Sequence, residues 1–295
     1  MSESKGVRRE ELRAARRALE ALPPGEINEL VGRPLLLYEI RRYPRSKEGA
    51  KAARSDLPFL FKAFETGQAP PARGVVTSLV DAPRAATIHE YLDWTVTAEE
   101  ASTDEELDFG GFRVIVLLPR FKPGWPPPGA YEDEAPKRCK VLGAPRNPLP
   151  LLMPNGKPIC AATIRVGVGF LEVPFFATQE TRRNRGFGRA LLEAIEEVAR
   201  ALALPYLLLC STDDPVTRNT WRALGFCLSS EQDLRALGVQ PGDLLHMDNT
   251  VQMHKVVPPA RAWRSLVAAE AGAAVLAENG AAAHGAGIAP ALPPD

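Results

Sequence analysis

The sequence predicts a mixed α/β fold, in which a layer of strands is interrupted by a strongly helical crossover. Short β-branched and apolar segments bounded by glycine or proline indicate strands. One of them, at 170–178, leads through a glycine-containing loop into the clearest amphipathic helix of the chain, which ends near Pro205. A buried strand at 206–210 and a short helix at 217–226 then follow. This alternation of strands and helices is typical of an α/β layer.

Length and charge restrict the class of protein. The chain has 295 residues, 45% of them apolar, which is enough for one large domain or two small ones with a buried core. Lys plus Arg and Asp plus Glu number 36 each, so net charge favours neither nonspecific nucleic-acid binding nor an acidic membrane. No apolar stretch approaches the ~20 residues of a membrane span. The first residues mix acids and bases, unlike a secretory or transit peptide.

The cysteines predict neither a disulfide scaffold nor a zinc site. Cys139, Cys160, Cys210 and Cys227 form no C-x-x-C pair, and the four histidines are scattered. We therefore expect no metal. Free thiols suit a reducing compartment, so we expect a nuclear or cytoplasmic protein without a membrane partner.

Proline-rich positions divide the chain into three regions. Residues 1–72 contain a predicted helix at 7–22 and have no assignable role. Residues 73–257 are the predicted α/β domain, with a proline-rich insertion at 119–149. The tail at 258–295 is rich in Ala, Gly and Pro, and we expect it to be largely disordered.

The remaining elements of the domain follow from the same signals. The predicted strands are 74–80, 110–118, 251–257 and a hairpin with arms 151–153 and 159–168, and a helix is predicted at 85–96. In the amphipathic helix Leu191, Ile195, Val198 and Leu202 share one face. We expect its charged residues Glu193, Glu196, Glu197 and Arg200 to face outward.

The loop before this helix has the composition of an anion site. It reads Arg183-Asn184-Arg185-Gly186-Phe187-Gly188, and Arg182 and Arg189 flank it with further positive charge. A helix N-terminus offers unpaired N–H groups and a partial positive charge, and glycines let a ligand approach the backbone. Successive N–H groups can then surround a diphosphate. The loop is neither a Walker loop nor a complete G-x-G-x-x-G, and a purely structural turn is the alternative.

The loop resembles the acyl-CoA loop of the GNAT superfamily of N-acetyltransferases, whose pattern is [Q/R]-x-x-G-x-[G/A]. Arg183, Gly186 and Gly188 match it. The segments LDFGGFRVIVL, ICAATIRV, LEVPFFATQETRRNRGFGRALLEAIE and HMDNTVQMHKVV resemble the GNAT domain of plant PHD-finger acetyltransferases of the increased-DNA-methylation type. The sequence lacks the cysteine-rich finger of those proteins, so histone-tail reading is not carried over.

This resemblance covers residues 74–257 in architecture and is specific over about 160–226. It implies a central mixed, mostly antiparallel twisted sheet, flanked by helices and splayed at its fourth and fifth strands. The pantetheine arm of the cofactor acetyl-CoA occupies the gap between those strands. Pro174 fits the bulge expected there, because a proline is normally excluded from a central strand. The alternative is that 170–178 is an edge strand or a loop.

Acetyl transfer to an amine needs a base, because an ammonium has no lone pair with which to attack a thioester. A lysine with a pKa near ~10.4 is almost fully protonated at neutral pH. Glu172, on an apolar strand, is the candidate base, and the resemblance places the base glutamate of histone-type members on this strand. The alternative is a glutamate on the solvent face of the strand.

The resemblance also supplies the remaining roles. The backbone N–H of Phe176 is the expected donor to the oxyanion. The expected cofactor contacts are Phe176, Ala177, Thr178, Arg183, Asn184, Arg185, Gly186, Phe187, Gly188, Arg189 and Asn219. The helix at 217–226 lacks the tyrosine that often acts as the acid, and Ser211 and water are weak alternatives. Trp221 and Cys210 are expected to be packing residues.

The expected function is that of an acetyl-CoA-dependent N-acetyltransferase acting on a primary amine, first of all a protein lysine. Histones are implied only by the plant resemblance, and nucleic acid would be an indirect partner through chromatin. Two other functions stay open. One is a noncatalytic acyl-CoA-binding scaffold, and the other is a small-molecule amine acetyltransferase.

Overall fold

The computed structural model describes residues 2–64, 87–100, 108–120, 157–240, 242–245 and 250–260. The described residues up to Pro259 belong to one compact unit. The predicted strand at 74–80 and the first arm of the predicted hairpin lie outside them. So do almost all of the proline-rich insertion and of the tail, which stay predictions.

The described residues form seven α-helices and nine strands, and the elements at residues 27–62 were not predicted from the sequence. The helices are α1 (Ser2–Glu20), α2 (Lys47–Asp56), α3 (Pro58–Lys62), α4 (Ile88–Thr97), α5 (Phe187–Ala201), α6 (Pro215–Ala223) and α7 (Glu231–Ala236). The strands are β1 (Ile27–Glu29), β2 (Leu36–Arg41), β3 (Arg113–Pro119), β4 (Cys160–Gly167), β5 (Phe170–Glu172), β6 (Phe176–Thr178), β7 (Tyr206–Thr212), β8 (Cys227–Leu228) and β9 (Thr250–Val256).

One twisted layer contains these strands, in the order β1-β2-β3-β4-β5-β7-β9-β8, with β6 paired to β4. Every neighbouring pair is antiparallel except β5 and β7, which are parallel. The mixed, mostly antiparallel sheet is therefore confirmed. Because β2 pairs with β3, residues 27–41 extend the same sheet as the domain expected to begin at residue 73. The boundary itself lies outside the described residues.

The apolar stripe of α5 packs on one face of the sheet. Leu191, Ile195 and Val198 are buried there, as predicted. The outward orientation expected for Glu196 is wrong, since this residue is only 4% exposed. The ammonium of Lys255 lies 2.6 Å from Oε1 of Glu196, so Glu196 forms an ion pair with a distant segment instead of facing solvent.

The loop between β1 and β2 covers another part of the polar face of α5. Arg33 forms two hydrogen bonds of 2.9 and 3.0 Å with the carboxylate of Glu193. The backbone N–H of Val31 donates to Glu197 at 3.2 Å. The charged face of α5 is therefore a contact surface for the N-terminal residues.

The opposite face of the sheet carries α2, α3 and α4. Their apolar side chains form a second buried cluster with β3, β4 and Phe175. A reciprocal capping box between Thr87 and Glu90 begins α4. α1 packs against β4 and buries Leu19 in the first cluster, so the helix predicted at 7–22 is confirmed and starts earlier.

Candidate active site

The strand predicted over 170–178 is broken in the middle. β5 pairs in parallel with β7 as far as Glu172 and Leu208, and the N–H of Val173 donates to the Leu208 carbonyl at 2.8 Å. β6 then follows β4 and has no ladder with β7. Pro174 lies in the break, where no ladder bond needs its missing N–H. The expected splay is present as a gap between β6 and the end of β7, which we call the strand gap.

The backbone of β6 presents polar groups to the strand gap. The N–H of Thr163 donates to the Phe175 carbonyl, and the N–H of Gln179 donates to the Ile159 carbonyl, both at 2.9 Å. Hydrogen-bonding direction alternates along a strand, so the backbone groups of Phe176 and Thr178 point away from β4. An extended ligand with amides can pair with these groups, as an added strand would.

The glycine loop meets the start of α5 in an unusual backbone conformation. Gly186 is the N-cap of α5 with φ 82°, and Asn184 has φ 58°, so both are left-handed. Gly188, in the first turn, has room for a side chain, because an added Cβ would lie 3.5 Å from Thr178 Oγ1. The first N–H groups of α5 have no intrahelical acceptor. The loop therefore combines a positive helix end with an open approach.

Most of the loop's arginines are uncommitted. Arg182, Arg183 and Arg185 are exposed, and none of them forms an ion pair or side-chain hydrogen bond with the part of the chain that is described. Arg189 differs, because it donates to the Ala223 carbonyl at 3.1 Å and ties α5 to α6. The side chains of these three arginines could therefore bind an anion.

α6 closes the other side of the strand gap. The indole of Trp221 packs edge-on against Phe176 and Phe226, with ring centroids 5.4 Å apart in each pair. The expected packing role of Trp221 agrees with these contacts. Asn219 is exposed on the same helix, and its side-chain oxygen accepts from Arg222 at 3.4 Å. The loop, β6 and α6 therefore lie next to one another, and we call the region that they border the cleft.

Glu172 is deeply buried at the end of β5. It is 2% exposed, so the alternative of a glutamate on the solvent face is wrong. Arg165 stands directly opposite in the β4–β5 ladder and contacts Oε2 through two guanidinium nitrogens at 2.7 and 2.6 Å. The N–H of Leu245 donates to Oε1. The carboxylate is therefore held by three protein donors.

Sequence reasoning missed Arg165, although a signal was present. It is a charged residue in the otherwise apolar and small-residue strand CAATIRVG. A tight turn at Val168 and Gly169 puts residue 165 opposite residue 172, so the hairpin register itself predicts a cross-strand ion pair.

Other polar side chains near the cleft already have hydrogen-bond partners within the protein. The Ser211 hydroxyl donates to the Thr212 carbonyl at 3.0 Å, and the Cys210 thiol lies 2.6 Å from Thr250 Oγ1. Burial raises the pKa of the Cys160 thiol to about 12, so it stays protonated at neutral pH. In the described ranges we find no cluster of three or more potential metal ligands and no helix long and apolar enough to cross a membrane.

Comparison with known proteins identifies the C-terminal part of this architecture. Residues 149–256 match the family model described as Increased DNA methylation 1, C-terminal domain. This segment is therefore similar to that domain. The match spans the glycine loop, the strand gap and Glu172, and it confirms the resemblance to a GNAT domain of the increased-DNA-methylation type. No curated protein matches the chain.

Several solved acetyltransferase structures overlap with the chain at low identity. Tetrahymena GCN5 has 12% identity and a TM-score of 0.44, covering 77% of this chain and 99% of its own. An N-acetyltransferase of Lactobacillus plantarum, named as such only provisionally, has 15% identity and a TM-score of 0.37, with coverage of 75% and 99%. The ribosomal-protein-S18-alanine N-acetyltransferase of Escherichia coli has 11% identity and a TM-score of 0.35, with coverage of 78% and 99%.

Proposed function

We propose that this protein is an acetyl-CoA-dependent N-acetyltransferase that acts on a primary amine, first of all a protein lysine. One observation carries the proposal. An open cationic loop at the start of α5 continues into the strand gap, and the gap begins where β5 ends at a buried carboxylate. A phosphate-binding end, a channel with backbone amides and a base are thereby connected along one path.

Each part of acetyl-CoA has a matching part of the cleft. The pyrophosphate would lie on the first N–H groups of α5, with Arg183 and Arg185 beside it. The pantetheine amides would pair with Phe176 and Thr178 in the strand gap. The backbone of Ala177 pairs with β4, so Ala177 would contact the ligand without a backbone hydrogen bond.

Glu172 would accept the amine proton through a water molecule. A carboxylate has about four acceptor positions, and the donors from Arg165 and Leu245 occupy three of them. The position left on Oε1 is where a relay water would bind. The ammonium proton would pass through that water to Glu172, and the neutral amine nitrogen would then attack the thioester carbon.

The oxyanion formed in this attack would accept a hydrogen bond from the N–H of Phe176, which points into the strand gap. Collapse of the intermediate breaks the C–S bond and releases the CoA thiolate. That thiolate would take, through water, the second proton that the nitrogen loses as the amide forms, since Ser211 donates to the backbone and α6 carries no tyrosine. The products are an acetamide and free CoA.

The acceptor class rests on the family resemblance. Histone peptides are the first acceptors to test, and a nuclear or cytoplasmic location with an indirect link to nucleic acid follows from the same proposal. Polyamines and aminoglycosides represent the small-molecule alternative.

A noncatalytic acyl-CoA-binding scaffold is the second candidate, and a specific observation favours it. Glu172 forms a buried ion pair with Arg165, and such a pair can have a purely structural role. The two candidates agree on cofactor binding and differ in turnover.

Calorimetry with acetyl-CoA on the wild type and on Gly188→Glu tests the binding site. Position 188 is suited to this change because its φ is not left-handed, whereas a side chain at Gly186 would strain the backbone. We expect binding at least about 30-fold weaker in the variant, or ~2 kcal/mol, with an unchanged unfolding midpoint. Gln232→Glu adds the same charge at the equivalent position of α7 and should bind as the wild type does. Equal binding by all three proteins would overturn the proposal.

Turnover separates the two candidates. The wild type and Glu172→Gln are assayed with histone peptides, polyamines and aminoglycosides as acceptors. We expect wild-type acetylation of a peptide and a loss of turnover in Glu172→Gln with acetyl-CoA affinity retained. A wild type that binds acetyl-CoA and acetylates none of them is the scaffold.

A further inference from the structure

The N-terminal helix α1 reaches the surroundings of Glu172 through two of its arginines. Arg8 and Arg16 lie eight residues apart, which spans about 12 Å along a helix. They contact two different segments, the turn residues 238–240 and 242–245, which we call the C-terminal turn, and the loop at 108–112. Both of these segments also contact Arg165.

Arg8 holds the C-terminal turn through Gly238 and Asp243. Its guanidinium forms an ion pair with Asp243, with Nε 3.3 Å from Oδ1, and donates to the Gly238 carbonyl at 2.8 Å. Asp243 is buried, and its carboxylate also accepts from the N–H of Gln240 at 2.8 Å. This turn ends at Leu245, whose N–H donates to Glu172. Arg8 therefore fixes a segment that touches the carboxylate directly.

Arg16 holds the loop at 108–112. It forms an ion pair with Asp108, and Asp108 also accepts from the N–H of Gly110 at 2.9 Å. The aliphatic part of Arg16 lies so close to Gly111 that an added Cβ would be 2.7 Å from it. The loop is thus fitted to this one side chain of α1.

Arg165 joins the two segments to Glu172. Its guanidinium donates to the Asp108 carbonyl at 2.6 Å and to the Asp243 carbonyl at 3.2 Å. It also stacks over the Phe112 ring at 4.3 Å. The planar guanidinium has donors in a fixed arrangement, so these acceptors determine its orientation. The orientation in turn sets where Oε2 of Glu172 is held.

We propose that Arg8 and Arg16 are positioning residues for Glu172. They act through Asp243 and Asp108 on Arg165, and α1 is thereby a working part of the active site. The kinetic consequence rests on the proposed function, while the mechanical coupling from α1 to Glu172 does not. The same helix offers a matched control in Arg13 and Arg17, which are exposed.

Amide hydrogen exchange tests the coupling without any assay of activity. The Arg8→Gln/Arg16→Gln variant is compared with Arg13→Gln/Arg17→Gln and the wild type. In the first variant we expect exchange at the Leu245 N–H to accelerate at least tenfold, while the Val173 N–H, bonded within the sheet to Leu208, keeps its rate. The control variant should change neither. Unchanged exchange at Leu245, or equal acceleration at both amides, would overturn the proposal.

Kinetics test the consequence for the proposed reaction. We expect kcat of Arg8→Gln/Arg16→Gln to fall about tenfold with the KM for acetyl-CoA unchanged, and Arg16→Lys to keep more turnover than Arg16→Gln. A variant with accelerated Leu245 exchange and wild-type kcat would overturn the positioning role. If the wild type acetylates no acceptor, the proposed function fails, and the exchange result alone decides whether α1 fixes Glu172.

Discussion

The glycine loop and the Glu172 pocket, by which we mean Glu172 and the residues that surround it, differ in the exposure and the pairing of their charged side chains. Around the loop, Arg182, Arg183 and Arg185 are exposed and have no charged partner among the described residues. Around Glu172, the ions of Arg165 and Asp243 are buried and each is bonded several times. The loop charges are therefore open to solvent, whereas the charges around Glu172 are paired within the protein.

The difference follows from solvation. Exposed arginines stay hydrated, so leaving them unpaired costs little stability. A buried charge loses its hydration and is tolerated only with good partners. Substitutions of the loop arginines should therefore change affinity and leave stability intact, and substitutions of the buried charges should mainly change stability.

Breaking the buried pair should have the largest effect. We expect Arg165→Met to lower the free energy of unfolding by about 3–5 kcal/mol, because the Glu172 carboxylate would be left buried without its partner. Equilibrium urea denaturation measures this. The control is Arg235→Met, which removes an ion pair to Glu231 whose side chains are 74% and 86% exposed, and it should cost less than about 0.5 kcal/mol.

Removing both charges sharpens that result. The double variant Arg165→Met/Glu172→Leu should recover much of the lost stability, since no unpaired ion is left. If Arg165→Met instead lowers the free energy of unfolding no more than Arg235→Met does, Glu172 is open to solvent. Its surroundings would then not differ from the loop in the solvation of charge.

Two glycines with the same backbone conformation separate stability from binding. Gly186 has φ 82° and Gly169 has φ 83°, and an added Cβ would meet no atom within 4 Å at either site. Each change to alanine should cost about 1–2 kcal/mol through backbone strain. Only Gly186→Ala should also weaken acetyl-CoA binding, as measured by calorimetry. Equal affinities of the two variants would assign Gly186 to folding alone.

Removal of a single loop arginine should have a smaller effect. We expect Arg183→Ala to weaken acetyl-CoA binding about 5- to 10-fold at low salt and less at high salt, because the charge is exposed and screened. Its unfolding free energy should stay within about 0.5 kcal/mol of the wild type. Arg13→Ala, on the exposed face of α1, should leave affinity unchanged, and an equal loss in both variants would indicate a nonspecific effect of charge.

The smallest effect concerns acid. Burial raises the pKa of Asp108, but the hydrogen bond and charge of Arg16, the N–H of Gly110 and the charge of Arg165 together outweigh it, and the pKa lies below its ordinary value. A lowered pKa contributes stability above the unfolded value, near pH ~4, and this contribution is lost as pH falls through the folded value. The stability difference between the wild type and Arg16→Gln should therefore shrink below pH 4 in urea titrations. A difference that grows in acid would contradict the pairing.

Patterns within a few residues of sequence were enough to predict the glycine loop, but not the surroundings of Glu172. The stripe of α5, the glycine loop and β7 follow from spacing within a few residues. Strand alternation could not decide whether Glu172 faces solvent, because Leu245, whose N–H bonds to its carboxylate, comes 73 residues later. Glu196 was assigned to the surface for the same reason, since Lys255 belongs to the last strand.

The N-terminal residues show the limit most clearly. The helix at the start of the chain was predictable from its charge and leucine pattern, yet its role was not. The partner of Arg8 is 235 residues away, and no pattern of one sequence connects the two. The predicted catalytic and cofactor roles stay predictions that the cleft geometry supports.

A crystal structure of the protein with bound acetyl-CoA tests the central claim most directly. The account predicts density for the pyrophosphate against the N–H groups of Gly186, Phe187 and Gly188, and for the pantetheine beside Phe176 and Thr178 in the strand gap. Density at any other place, or no density at a saturating concentration, would contradict it.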